Sequence, residues 1–363
     1  MKRRLIVIGP VPPPYHGVTI STSLVLGSER LDERFDVEHL DTSDHRPGRQ
    51  IGTWDRQNIA IAVRSVAHLL WCMRGERGVV YLPVSQSAPG FLRDSLFIHL
   101  AYALRWKVAV HLRGSEFHSF HRSSPAYFRR WIEITLRRVS SMAVMGDSLK
   151  RVFEGLVPPE RLAVVPNGTP EPTTNGVTRD ANLVLFLSNL WRRKGVEEAL
   201  EAALLVVRDR PSARVLFVGE WESPELERSL KQRAASSFEN VEFLGTQTGN
   251  EKDKLLASSS VLLFPPREPE GHPRVVLEAL AAGVPVVTTD RGAIADTVVD
   301  GECGYVLDRP EPTELAARVS KILEDPGLHA RMSRSARNRY LASFTQEHAD
   351  RRLVEWLEQV AGA

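Results

Sequence analysis

Residues Pro265–Thr288 read PPREPEGHPRVVLEALAAGVPVVT, and this stretch decides how the chain is interpreted. It predicts a loop, a helix and a buried strand in succession, with Pro273 as the first helical residue and Gly283 at the helix end. Glu270 falls in the loop, and Glu278 falls in the helix. A helix start attracts phosphate, and carboxylates accept hydrogen bonds from hydroxyls. The stretch therefore suits an anion that carries hydroxyl groups, although an amphipathic helix with a solvated Glu278 would show the same acids.

Short apolar runs alternate with helical patterns along the whole chain. The predicted strands are Leu5–Ile8, Val79–Leu82, Val108–Leu112, Ala143–Met145, Ala163–Val165, Leu183–Leu187, Val215–Val218, Val241–Leu244, Val261–Phe264 and Val284–Thr288. Helices are predicted between them, for example over Asp55–Met73 and Tyr127–Arg138. Alternation of this kind predicts an α/β protein whose parallel sheets are covered by helices on both faces.

The length and one break in the pattern predict two domains. A chain of 363 residues exceeds one comfortable hydrophobic core. Residues 166–182, PNGTPEPTTNGVTRDAN, contain almost nothing to bury, so the segment 171–182 is interpreted as a linker. We expect doubly wound, Rossmann-like domains over 1–170 and 183–344, facing across a cleft, because ligands of such folds bind at the carboxyl ends of the strands. A further helix is predicted over Thr345–Val360.

The composition narrows the class of protein. With 42% hydrophobic and 25% charged residues, the chain resembles soluble globular proteins. A net charge of +2 argues against a dedicated nucleic-acid-binding protein. Two cysteines, Cys72 and Cys303, are too few for a disulfide framework or a thiolate metal site, which favours a reducing cytoplasm. We expect no signal peptide after Met1–Arg4 and no membrane span, since no apolar run approaches roughly 20 residues.

The two acids and their neighbours carry a family resemblance. Glu270-Gly271 and Glu278-Ala279, followed by a short strand, resemble the Glu-seven-Glu motif of family 4 (group 1) retaining glycosyltransferases, which have the GT-B fold. In that family the first Glu contacts the donor sugar at the reaction centre. The second holds the ribose of the nucleotide. The resemblance implies these roles for Glu270 and Glu278.

The segment Ser188–Gly195, SNLWRRKG, follows a predicted strand and is expected to open a helix. Basic side chains at a helix start oppose the helix dipole by roughly 0.3–1 kcal/mol each, which favours a bound anion over a solvated turn. The segment resembles the family's Gly-Arg-Leu-(three)-Lys-Gly motif, whose Arg and Lys grip the donor diphosphate. Lys194 matches this motif, whereas Asn189 stands where the family has Arg. Either Arg192 or Arg193 is expected to supply the second cation.

Glycines at strand ends and helix starts extend the resemblance. Gly219 and Gly245 each follow a predicted strand, at family positions that lie against the base and ribose. Pro273 has no N–H, so an anion contact from this helix start is expected to use Gly271, Arg274 or Val275. Gly17 ends a proline-rich loop, with His16 in place of the family's first glycine, and is expected to approach the donor phosphate. That loop is not the Gly-x-Gly-x-x-Gly fingerprint, which argues against a nicotinamide cofactor.

The loop after the predicted strand Val108–Leu112 departs from the family. Many members have His-x-His-Gly here, with the second His beside the reacting sugar, and Arg113 stands in that place. Arginine stays protonated and cannot act as a general base. It is expected to steady a departing phosphate or an anionic acceptor. His118 is the other candidate for the catalytic centre, and His111 is expected to be a core residue that points away from Arg113.

Residues 117–138 form a basic and aromatic segment. It contains five aromatic side chains and five arginines against one acid, Glu133. Such a segment in the acceptor domain is suited to an anionic membrane leaflet, at roughly 1 kcal/mol per basic residue. A packed helix with a solvated basic face is the alternative. The first reading predicts a cytoplasmic protein with peripheral contact to the inner face of the membrane.

The resemblance covers nearly the whole chain and is firmest after Leu183. It implies a metal-independent transferase of polysaccharide or glycan biosynthesis, with a UDP- or GDP-sugar donor and a saccharide or lipid-linked acceptor. The acceptor would bind the domain 1–170, on which the helix 345–363 would pack, and the nucleotide sugar would bind the domain 183–344. Two alternatives stay open: a non-hydrolysing sugar-nucleotide epimerase, and a catalytically weak sugar-nucleotide-binding protein suggested by Arg113 and Asn189.

Overall fold

The computed structural model describes residues 2–13, 17–43, 56–173, 176–235 and 240–362, with only the backbone of 56–63. His16 lies outside the described residues. The chain divides into two compact units. Unit 1 comprises Met1–Asn167 and Glu347–Ala363, and unit 2 comprises Gly168–Gln346. No described helix is long and apolar enough to cross a membrane.

Unit 1 is built on a parallel six-stranded sheet. Its strands are β1 (Arg3–Gly9), β2 (Phe35–Asp41), β3 (Val79–Pro83), β4 (Lys107–His111), β5 (Ser141–Val144) and β6 (Leu162–Val164). Their order in the sheet is β2-β1-β3-β4-β5-β6. The chain first steps from β1 to β2 and then crosses back to β3. The order therefore reverses at β1 and β3, the kind of place where open α/β sheets bind ligands.

Helices connect these strands and cover both faces of the sheet. They are α1 (Gly17–Leu26), α2 (Glu29–Arg34), α3 (Arg56–Cys72), α4 (Ala88–Ala103), α5 (Phe117–Ser123) and α6 (Ala126–Leu136), with 3-10 turns at Asp147–Phe153 and Pro159–Arg161. Alternate strand residues such as Leu5 and Val7 pack on the side of α1 and α2, whereas α4 contacts α3 and α6. The resulting layers follow from the period-two alternation of strands that are apolar on both faces.

Unit 2 repeats this plan with another parallel six-stranded sheet. Its strands are β7 (Leu183–Leu187), β8 (Arg214–Val218), β9 (Val241–Gly245), β10 (Val261–Phe264), β11 (Val286–Thr289) and β12 (Gly304–Leu307). Their order is β12-β11-β10-β7-β8-β9. The chain runs outward from β7 to β9 and then restarts on the other side of β7 with β10. The carboxyl ends of β7 and β10 therefore form the switch point of this sheet.

The helices of unit 2 pack in two hydrophobic layers. They are α7 (Val196–Asp209), α8 (Pro224–Ala234), α9 (Gly249–Ser258), α10 (Arg274–Ala281), α11 (Ile294–Thr297), α12 (Pro312–Glu324) and α13 (Pro326–Ser343), with a 3-10 turn at Arg192–Lys194. Side chains of α7, α8 and α12 share one buried cluster with the sheet, and those of α9, α10 and α13 share another. Both faces of the sheet are thus covered.

The last helix, α14 (Gln346–Gly362), returns to the core of unit 1. Its buried side chains Leu353, Trp356 and Leu357 join the cluster that contains Leu5 and Val7. Trp356 also donates from Nε1 to Ser141 Oγ at 2.8 Å. An apolar stripe at helical spacing thus supplies one side of the unit 1 core.

Two local predictions need correction. Pro273 precedes α10 as its N-cap, with extended backbone, and does not begin the helix. The basic residues before Gly195 do not open α7 either, because they form their own 3-10 turn and Gly195 then turns left-handed (φ +77°). Gly283 does end α10 in the predicted left-handed conformation (φ +65°).

Candidate functional site

The loops after β7 and β10 are joined at the switch point of unit 2. The backbone N–H of Arg267 donates to Arg193 O at 3.1 Å. A Cβ on Gly195 would lie 1.9 Å from Pro265 O, so this contact requires glycine. Two loops that are distant in sequence thus form one continuous surface at the carboxyl edge of the sheet.

Lys194 and Glu270 form an ion pair across these loops. Lys194 Nζ lies 2.6 Å from Glu270 Oε1, and the side chains are only 16% and 14% exposed. An ammonium carries three N–H groups, so the bond to Glu270 leaves donors for a further acceptor. The structure therefore brings together two of the predicted site residues. Their charges face each other in a poorly solvated position, where an electrostatic interaction is stronger than in water.

The second acid has a lysine partner of its own. Glu278 lies on α10, and its Oε1 accepts from Lys252 Nζ of α9 at 2.7 Å. The side chains are 16% and 25% exposed. Lys252 was not among the predicted site residues, because nothing local to α9 shows that its side chain meets an acid 26 residues later.

The loop after β11 fixes the backbone at Glu270. Gly292 is left-handed (φ +66°), and a Cβ there would lie 1.6 Å from Glu270 O. The N–H of Ala293 donates to Glu270 O at 3.3 Å and to Gly271 O at 3.2 Å. Sequence reasoning missed Gly292. The available signal was a glycine four residues after a predicted buried strand.

The other predicted site residues of unit 2 are two arginines and two glycines, and they make different contacts near the same edge of the sheet. Arg192 Nε lies 3.3 Å from Glu197 Oε1, and the Arg193 guanidinium lies 5.4 Å from the centre of the Trp191 ring. Gly219 donates its N–H to Gly245 O at 2.9 Å. A Cβ on Gly219 would meet Ser188 O at 1.8 Å, whereas one on Gly245 would meet open space.

A carboxylate in the first turn of α7 is also held near this edge. Glu198 Oε1 lies 3.0 Å from Arg267 Nε, and its buried Oε2 has no hydrogen-bond partner among the described residues. Burial raises the pKa of Glu198, and this effect exceeds the opposing influences of a backbone hydrogen bond and of Arg267. Arg267 thus links the loop after β10 to the start of α7.

In unit 1, Arg113 is held by neutral partners at the carboxyl end of β4. Its guanidinium donates to Asn167 Oδ1 at 2.7 Å and to Tyr81 Oη at 2.8 Å. Tyr81 Oη also lies 3.2 Å from His111 Nδ1. The prediction that His111 points away from Arg113 is therefore wrong, since both reach one hydroxyl. Strand alternation places residues two apart on the same side, not on opposite sides.

His111 is a core residue, as predicted, and is fully buried. Its Nε2 lies 3.1 Å from Val165 O. A carbonyl only accepts, so Nε2 carries the proton and Nδ1 accepts from the Tyr81 hydroxyl. Burial first, and then the Arg113 charge, hold the pKa of His111 well below its usual range. The result is a chain of hydrogen bonds that fixes the position of the Arg113 guanidinium.

The other predicted residues of unit 1 are more open. His118 lies exposed on α5, and Gly17 is the exposed first residue of α1. The basic, aromatic segment comprises two helices. Its Phe117, Phe120 and Phe128 rings each contact Phe91, and Phe120 also contacts the other two. Across the described residues, no three His, Cys, Asp or Glu side chains are grouped in a way that would hold a metal ion.

Comparison with known proteins gives one family match. Residues 171–339 match the family described as "Glycosyl transferases group 1". The chain is 30% identical over 189 residues to a GDP-mannose-dependent monoacylated alpha-(1-6)-phosphatidylinositol monomannoside mannosyltransferase of Corynebacterium glutamicum, covering 50% of this chain and 49% of that protein. It is 30% identical over 173 residues to an N-acetyl-alpha-D-glucosaminyl L-malate synthase of Bacillus anthracis, covering 47% and 44%. The chain thus spans about half the length of the curated relatives it matches.

Solved structures match over almost the entire chain. Anabaena HepE in complex with UDP and glucose superposes with a TM-score of 0.76 at 18% identity, covering 98% of this chain and 100% of that one. A sucrose-phosphate synthase of Thermosynechococcus elongatus gives 0.74 at 16% identity, covering 99% of each. Together with the two six-stranded sheets, these matches confirm the predicted α/β fold with two Rossmann-like domains.

Proposed function

Residues 171–339 belong to the group 1 glycosyltransferases, and from this premise we propose that the protein is a retaining glycosyltransferase. It transfers a sugar from a nucleotide-diphosphate sugar to a saccharide or a lipid-linked acceptor. The observation that carries the proposal is the poorly exposed Lys194–Glu270 pair at the switch point of unit 2. The C. glutamicum relative is described as GDP-mannose-dependent, and HepE was solved with UDP. UDP- and GDP-sugars are therefore the donors to test first.

In the proposed reaction, basic side chains bind the diphosphate and acidic side chains bind the hydroxyl groups of the donor. The bond between the anomeric carbon and the diphosphate breaks, a bond to an acceptor oxygen forms, and the proton of that hydroxyl passes to an oxygen of the departing diphosphate. Negative charge develops on the departing diphosphate, and Lys194 with Arg192 or Arg193 neutralises it. Glu270 accepts hydrogen bonds from the donor sugar, and Glu278 accepts them from the ribose. Side-chain cations supply the compensation that a metal ion supplies in other transferases.

The backbone at the loops contributes further donor contacts in this proposal. Gly271 offers its N–H near the sugar, whereas Gly219 and Gly245 border the base and ribose. The left-handed Gly292 holds the main chain at Glu270, which keeps that carboxylate in position before the donor arrives. Preorganised charge of this kind lowers the barrier because it needs no rearrangement during the reaction.

Unit 1 is proposed to bind the acceptor. Arg113, held by Tyr81 and Asn167, presents a permanent cation at the carboxyl edge of the sheet. That cation suits either the departing phosphate or an anionic acceptor, and Gly17 and His118 are the other unit 1 residues proposed to take part. A lipid-linked acceptor implies peripheral contact with the inner, anionic face of a membrane, which the exposed arginines of residues 117–138 favour.

A donor panel tests the proposal directly. The full chain is incubated with UDP- and GDP-sugars, with and without saccharide acceptors, and release of the nucleotide diphosphate is measured beside the anomeric configuration of the product. We expect release that depends on the acceptor and falls at least about a hundredfold in Glu270→Gln, because that variant loses a charge-assisted contact at the reaction centre. Isomerisation of the donor without an acceptor would instead support an epimerase. Donor binding without any turnover would support a binding protein.

A further inference from the structure

The outward surface of α4 in unit 1 is unusually apolar. From Ser95 to Leu104 the sequence contains no Asp, Glu, Lys or Arg. The inward side chains Phe97 and Ile98 are fully buried, yet Leu96 remains 53% exposed. A helix that borders water normally carries polar residues on its outer side. The outer side of α4 therefore resembles a surface that something else covers.

Helix α6 extends this surface on one side. Trp131 Nε1 donates to Ser95 Oγ at 3.0 Å, and the Arg138 guanidinium lies 4.3 Å from the centre of the Tyr102 ring. From the first contact to the second, the chain advances seven residues along α4 (Ser95 to Tyr102) and seven along α6 and its end (Trp131 to Arg138). The two helices therefore run parallel, side by side. Tyr127, at the start of α6, is 78% exposed.

Helix α3 extends the surface on the other side. Arg4 donates to Cys72 O at 2.6 Å, and its guanidinium lies 5.3 Å from the centre of the Trp106 ring. The ends of α3 and α4 therefore meet at one side chain. Together the three helices carry six of the eight exposed large hydrophobic residues among the described ones, and we name this set the α4 face: Leu70, Trp71, Leu96, Tyr102, Leu104 and Tyr127.

Positive charge surrounds the α4 face. The exposed or half-exposed basic residues among the described side chains of these helices and their ends include Arg64, Arg74, Arg77, Arg93, Arg105, Arg129, Arg130, Arg137 and Arg138. The acids there are Glu76, Asp94 and Glu133. Asp94 is buried and pairs with Arg93 at 2.8 Å, and Glu133 pairs with Arg130 at 3.1 Å. The partner of this surface must therefore combine negative charge with apolar groups.

One of these arginines occupies an unfavourable backbone conformation. Arg105 follows Leu104 at the end of α4 with φ +59°, a left-handed conformation that side chains with a Cβ rarely adopt. Helices usually place glycine at such an end. Glycine would relieve this conformation, so Arg105→Gly removes a positive charge from the surface without a backbone cost to folding.

We propose that the α4 face docks on an anionic lipid bilayer. Trp, Tyr and Leu side chains enter the headgroup region, while arginines keep their charged ends at the lipid phosphates. A second copy of the chain fits less well, because a symmetric interface would bring this positive surface against itself. This inference deepens the acceptor side of the proposed function, since it places the enzyme where a lipid-linked acceptor resides.

Vesicle flotation of the full chain tests this inference without turnover. We expect binding to vesicles of phosphatidylcholine with phosphatidylglycerol, weakened by salt, and little binding to phosphatidylcholine alone. Arg105→Gly should lower the affinity about fivefold while leaving the thermal midpoint unchanged or higher. Leu96→Gln should lower the affinity at unchanged charge. Leu341→Gln is the matched control, since Leu341 lies in unit 2 and is 45% exposed.

The outcomes separate this inference from the proposed function. Equal binding by Arg105→Gly, Leu96→Gln and wild type would overturn it, as would failure to bind anionic vesicles at low salt by protein that still binds a nucleotide sugar. A wild-type dimer that Leu96→Gln dissociates, seen by analytical ultracentrifugation, would also overturn it in favour of a second copy. Vesicle binding without any affinity for nucleotide sugars would leave the docking surface intact and contradict the proposed enzyme.

Discussion

The carboxyl edges of the two sheets hold their charges in different ways. In unit 2, Lys194 and Lys252 each face a glutamate, so the loops carry compensated pairs in poorly exposed positions. In unit 1, Arg113 is held by a tyrosine and an asparagine, and its positive charge stays uncompensated by these partners. A paired lysine can exchange or share its acid when a ligand arrives, whereas a cation fixed by neutral groups is available from the start. The same fold thus provides one edge suited to a ligand with both charge and hydroxyls and another suited to an anion.

The largest expected effect comes from a substitution that removes the Lys194–Glu270 ion pair of unit 2. Lys194→Ala should weaken nucleotide-diphosphate binding about a hundred- to a thousandfold, because it removes a cation from the diphosphate and leaves Glu270 uncompensated beside it. Isothermal titration with UDP and GDP measures the loss. Lys254→Ala is the control, since Lys254 is an exposed lysine paired on the surface with Glu251. Equal affinity of Lys194→Ala and wild type would remove Lys194 from the donor site.

The next effect concerns the support beneath Glu270. Gly292→Ala should lower the free energy of unfolding by about 2–3 kcal/mol and reduce turnover, because its Cβ would collide with Glu270 O. Gly245→Ala is a matched control, since the two glycines have almost the same backbone angle (φ +66° and +67°) but Gly245 faces open space. The control should lose only about 1 kcal/mol. Chemical denaturation of both variants shows whether the loss of stability in Gly292→Ala comes from the collision with Glu270 O or from the left-handed backbone angle.

A smaller effect tests the unit 1 edge. Arg113→Lys keeps the charge but loses the planar fork that reaches Tyr81 and Asn167 together. We expect kcat/KM for the acceptor to fall about tenfold, equivalent to about 1.4 kcal/mol, while affinity for the nucleotide diphosphate stays unchanged. A parallel loss of nucleotide affinity would show that Arg113 meets the donor phosphate, and it would blur the distinction between the two edges.

The smallest effect is a pH dependence of stability. Because the pKa of His111 is depressed in the folded state, the neutral ring favours folding above the ordinary histidine pKa of about 6.5. As the pH falls below that value, His111 binds a proton in the unfolded chain but stays neutral in the folded chain. Stability should then decline by up to about 1.4 kcal/mol per pH unit from this residue. Denaturation between pH 7.5 and about 5.5 should show a shallower decline in His111→Asn than in wild type.

Local patterns in the sequence predicted the fold and part of the site. Apolar runs of strand length separated by helical stretches predicted parallel sheets, since strands buried on both faces need apolar residues throughout. The prolines and glycines around Glu270 and Glu278 predicted the loop and the end of α10. The helix start at Pro273 was misplaced because a change in one backbone angle decides where a helix begins. The direction of His111 was wrong because residues two apart in a strand lie on the same side.

The sequence by itself thus determined ten of the twelve strands, the two-sheet architecture and several charged residues near the switch point, but not β2 or β12. Only the tertiary structure decided that Glu270 meets Lys194, that Glu278 meets Lys252, and that Gly292 supports the Glu270 loop. It also decided that Phe117 and Phe128 are buried while Tyr127 and Leu96 are exposed. Periodicity and propensity act over a few residues and leave a record in the sequence. Pairing and exposure depend on which distant segments the sheet order brings together, and that order is fixed only when the whole core packs.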